Sequence, residues 1–61
     1  MFEANRWYRG EFKDSHEKVE IFFDNRHNVV LVWAIRLEKM YTYKNLQKVL
    51  EIFHVLSYKA L

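Results

Sequence analysis

Apolar residues fall at every second position over Lys18-Val19-Glu20-Ile21-Phe22-Phe23, with Val19, Ile21 and Phe23 on one side. A period of two is the mark of a half-buried strand. The same alternation places Tyr8 and Phe12 opposite Trp7, Arg9 and Glu11, predicting a strand over Arg6–Phe12. Lys13 to Glu17 is polar and carries Asp14-Ser15, so it reads as the turn between them. A third strand is predicted over Val29–Leu37, where β-branched residues are dense. The intervening loop, Asp24 to Asn28, closes without glycine because Asp24 can start a turn through its side chain and Asn28 tolerates a left-handed backbone. A rival reading starts a helix near Trp33, since residues 34–40 are mostly good helix formers.

From about Tyr43 to the end the spacing changes to that of a helix. Leu46, Val49, Leu50, Phe53, Leu56, Ser57, Ala60 and Leu61 share one half of a helical circumference, and Lys44, Gln47, Lys48, Glu51 and Lys59 the other. Thr42 suits the N-cap, and Tyr41 before it suits a staple onto Leu46. Val55 and Tyr58 break the pattern by falling on the charged face. The expected fold is therefore α+β, a three-stranded antiparallel sheet (β-β-β) followed by one C-terminal amphipathic helix, in a single domain over residues 1–61.

Composition narrows what such a domain can be. A chain of 61 residues buries only about 60% of the surface its unfolded form exposes, so its core is small. Cysteine is absent, which removes disulfides and thiolate metal sites as supports and leaves self-association or unusually dense packing. The third strand is apolar on both faces, and Phe22 interrupts the polar side of the second. One helix covers one face of a sheet, so the surplus predicts a homodimer with Phe22, Val30, Val32 and Trp33 at its interface.

The chain lacks an apolar run of membrane-spanning length, and its first residues lack the layout of a signal peptide. A cytoplasmic protein without a membrane partner is expected. Net charge is +2, divided into −1 over residues 1–28 and +3 over residues 29–61, well short of a nucleic-acid binder's usual balance.

Catalytic chemistry finds little support. His16, His27 and His54 lack the spacing that sets two imidazoles on one metal, and Glu11, Glu17 and Glu20 interleave with Arg9, Lys13 and Lys18 as on a solvated face. Ser15, Ser57 and Thr42 have no partners of a nucleophilic triad, and a single glycine, Gly10, rules out a phosphate-cradling loop. We expect no enzyme and no cofactor. Attention therefore falls on Arg6-Trp7-Tyr8-Arg9, whose residue types fit a protein-binding hot spot, a base-stacking surface, or simply core rings between solvated arginines. Val55 and Tyr58 form a second candidate contact. The expected function is a small protein-binding module, a homodimeric inhibitor or adaptor that blocks a larger macromolecule and is phage-encoded on grounds of size. The alternative is a small nucleic-acid-binding regulator using the basic and aromatic residues.

Overall fold

The computed structural model describes residues 3–58, with the backbone alone at Tyr58. It contains β1 (Trp7–Phe12), β2 (Lys18–Asp24), β3 (Val29–Ala34), β4 (Lys39–Tyr43), α1 (Leu46–Ile52) and β5 (Phe53–Tyr58). The five strands form one antiparallel sheet in the order β4-β3-β2-β1-β5. The first four make a meander, and the fifth returns beside the first. The three-stranded sheet with a long C-terminal helix expected from the sequence is thus replaced by a mostly β architecture with one short helix.

Three hairpins build the meander, and all three solve the same backbone problem alike. The first loop has five residues and the other two have four, and in each the fourth is left-handed: His16 (φ 63°), Asn28 (φ 54°) and Glu38 (φ 53°). Asparagine and histidine tolerate that conformation comparatively well, whereas glutamate gives no warning of it. In the second loop the Asp24 side chain accepts from the amides of Arg26 (3.0 Å) and His27 (3.3 Å), the turn expected of an aspartate there. The third loop, Ile35 to Glu38, contains neither glycine, proline nor asparagine. That loop ends β3 at Ala34 and starts β4, so residues 33–40 are neither continuous strand nor helix.

The helix is shorter than its periodicity suggests at both ends. Asn45, not Thr42, caps it, its side chain accepting from the Gln47 amide at 2.9 Å. Helical geometry stops at Ile52, and Phe53 is already extended (φ −124°, ψ 149°). From Phe53 onward the alternating aromatic and β-branched residues suit a strand, and β1 offers them an antiparallel ladder of backbone bonds interrupted by one bulge. Lys59, Ala60 and Leu61, also assigned to the helix from sequence, lie outside the described residues.

The core lies between the sheet and α1. Tyr8, Val19, Ile21, Val30, Val32, Ala34, Val49 and Phe53 are buried, and Phe12, Phe23, Tyr41, Tyr43, Leu46, Ile52 and Val55 pack around them. Val49 and Phe53 are therefore the part of the expected helical stripe that reaches the interior, while Leu50 stays exposed. Gly10 sits where β1 meets β5 through a bulge, with Gly10 opposite Val55 and Arg9 opposite Ser57, leaving Leu56 as the extra residue. The inner layer uses one face of the sheet; the other has no element of this chain upon it among the described residues.

Candidate protein-binding face

The strand registers line up two apolar rungs across the uncovered face. Trp7 lies opposite Phe22, Phe22 opposite Leu31, and Leu31 opposite Thr42. In the next rung Arg9 faces Glu20, Glu20 faces Trp33, and Trp33 faces Met40. Trp7 and Phe22 pack at a tilt of 41° with ring centroids 5.0 Å apart, so the rings shield one another, and both stay half-buried rather than buried. Met40, at 49% exposure, stays open to solvent. Cross-strand pairs of this type stabilise a sheet modestly, yet side chains this large leave apolar area in water.

Charge on the same face is mixed. Arg9 and Lys18 supply two cations; Glu11, Glu20 and Asp24 supply three carboxylates. Between Arg9, Lys18, Glu20, Ile35, Leu56 and Ser57 runs an open cleft of about 400 Å³. Its walls combine both signs of charge with the apolar side chains of Ile35 and Leu56. This arrangement suits a protein surface of matching polarity better than a polyanion.

The sequence-derived candidates divide between the two sides of the sheet. Trp7, Arg9, Phe22 and Trp33 lie on the uncovered face, and Arg6 is exposed at the start of β1. Tyr8 points the other way and is buried at 6%, its hydroxyl accepting from the Glu3 amide at 2.6 Å. Val30 and Val32 are buried at 1% and 0% within their own chain. Val55 projects from no charged helix face, because it belongs to β5 and packs against the core. The Tyr58 side chain lies outside the described residues. Leu31 and Met40 complete the rungs and were missed from sequence. The signal for Leu31 was the plain alternation of Val29, Leu31 and Trp33; Met40 had none without the third turn.

The histidines each stand beside a carboxylate. His16 Nδ1 lies 2.8 Å from Glu11 Oε2, His54 Nδ1 lies 3.5 Å from the same oxygen, and His27 Nδ1 lies 2.7 Å from Asp24 Oδ2. The hydrogen bond with His16 holds the Glu11 carboxyl below its ordinary range, and that with His27 does the same for Asp24. Burial pushes the Tyr43 phenol upward. Glu17 pairs with Arg36, tying the first and third hairpin loops together. These contacts fasten turns at the surface; among the described residues no three His, Asp or Glu side chains converge as a metal site. No helix among the described residues is long and apolar enough to cross a membrane.

Comparison with known proteins gives no relative: no family model, curated protein or solved structure matches the chain.

Proposed function

We propose that the chain is a non-enzymatic protein-binding module, acting by occupancy as an inhibitor or adaptor, and that its contact surface is the sheet face opposite α1. The observation that carries this reading is the pair of rungs Trp7–Phe22–Leu31 and Trp33–Met40, an apolar strip bordered by Arg9 and Glu20. Tryptophan, large apolar side chains and arginine on one surface are the composition of an interface centre, and a polar border is what surrounds such a centre. The core does not need these residues. Tyr8, Val19, Ile21, Val30, Val32 and Phe53 fill the other side without them.

The nucleic-acid alternative is weakened by the three carboxylates on this face, Glu11, Glu20 and Asp24, which oppose phosphate where Arg9 and Lys18 attract it. Immobilised chain should therefore retain a protein from an extract of its native cell after nuclease treatment, with retention little changed by added salt. Retention abolished by nuclease, or falling steeply with salt, would replace this reading with a phosphate-binding one.

A further inference from the structure

We propose that β4 is the strand through which two copies of the chain join, edge to edge, into one continuous antiparallel sheet. The sheet has two edges, β4 and β5. Exposed edges present rows of unpaired backbone donors and acceptors, and proteins commonly guard them with bulges, prolines or charges. β5 carries such a guard in the bulge at Leu56. β4 has neither bulge nor proline: it pairs with β3 in unbroken register through all five residues, and its one charge, Lys39, stands at the first position and leaves the other four unguarded. The rest, Met40-Tyr41-Thr42-Tyr43, is uncharged and of high strand propensity.

The register identifies a second copy as the occupant. Two identical antiparallel edges join about a two-fold axis normal to the sheet, which keeps the helix-covered faces on one side and restricts the pairing to residues sharing a face. Centred on Tyr41, the pairing sets Tyr41 against its own copy, Met40 against the partner's Thr42 and Lys39 against the partner's Tyr43. All five residues of each strand are then paired. One step beyond, Glu38 meets the partner's Lys44, so opposite charges close the pairing at both ends. Shifting the centre to Met40 sets Lys44 against the partner's Arg36, two like charges. Shifting it to Thr42 leaves Lys39 and Met40 opposite residues outside the strand. The Tyr41-centred register alone satisfies length and charge together.

Pairing in this way also aligns the two uncovered faces. Met40 and Trp33 of one copy continue into Thr42 and Leu31 of the other, so the dimer carries two copies of the apolar strip side by side. This inference stands on the edge and its charges, and remains whatever the strip itself binds.

The test uses the absence of natural cysteine, which makes any introduced thiol unique. Met40→Cys and Thr42→Cys are both at exposed positions. A mixture of the two variants under mild oxidation should form disulfide-linked dimers several-fold faster than either alone, with Ser15→Cys at background. In the natural chain, backbone amide exchange over residues 39–43 should slow as concentration rises while that over 53–58 does not. A mixture that links no faster than its components, or exchange over 39–43 that ignores concentration, overturns the proposal and leaves the outer-face reading untouched.

Discussion

Phe53→Ala is expected to leave the chain largely unfolded by circular dichroism. Phe53 is 1% exposed and touches three elements at once: its ring meets Phe12 of β1 at 4.8 Å and Tyr43 of β4 at 5.9 Å, and its backbone caps α1. Truncating a buried phenylalanine costs about 3–5 kcal/mol in lost transfer energy and cavity formation. A single domain has only about 5–15 kcal/mol in total, and one this small lies at the lower end. The same change loosens the junction at which α1 becomes β5, so no local collapse restores the contacts. A cooperative melt close to that of the natural chain would mean that the core does not depend on Phe53.

Gly10→Ala should be nearly as damaging, for the opposite reason. A methyl group at Gly10 would stand 2.6 Å from the His54 carbonyl oxygen and 2.9 Å from Ile21 Cδ1, closer than such atoms approach. No glycine has a positive φ, so the need is for a missing side chain and not for an unusual backbone. The bulge brings β5 across β1 at this point, and glycine is what lets the two backbones meet. Overpacking in a core costs about 1–3 kcal/mol where side chains can yield, and a fixed carbonyl yields less. The expected result is a large drop in melting temperature with fastest amide exchange in β5. Leu56→Ala, on the same strand but 54% exposed, should melt close to the natural chain. Equal melting of Gly10→Ala and the natural chain would show that β1 and β5 leave room for a side chain where they cross.

How far the sequence disclosed this fold depended on whether local signals agreed with distant ones. Val19, Ile21 and Phe23 alternate in sequence and point inward as the alternation requires, and Asn28 takes the left-handed position expected of it. The third turn was invisible because its left-handed residue is Glu38, a type that marks helices and surfaces rather than turns. Without that turn β4 could not be separated from what precedes it. At the C-terminus, Leu46, Val49 and Phe53 satisfy a helical period while Phe53 and Val55 satisfy a strand period, and a short run does not decide between them. What decides is β1, more than forty residues earlier in the chain, whose free edge accepts β5.

The candidate site was legible to the same degree. Alternation already set Trp7 and Arg9 apart from Tyr8, and Phe22 and Trp33 were marked as surplus apolar residues. Grouping them with Val30, Val32 and Val55 mixed two faces, since a choice of face requires knowing which one the helix covers. The rungs themselves depend on register across four strands. That is a property of the sheet, and no single segment contains it.

The most direct test of the outer face compares three folded variants for binding to the protein retained by the natural chain. Trp33 lies on the proposed contact strip and Arg9 at its border, and Lys48 is exposed on α1, on the far side of the sheet. Trp33→Ala and Arg9→Ala should each weaken binding by about 1–3 kcal/mol, as truncation of interface anchors does, with Lys48→Ala at the natural affinity. Melting measured on the same samples separates lost contact from lost fold. Natural affinity in both strip variants, together with loss of binding in Lys48→Ala, would contradict the account and move the contact surface to the helix.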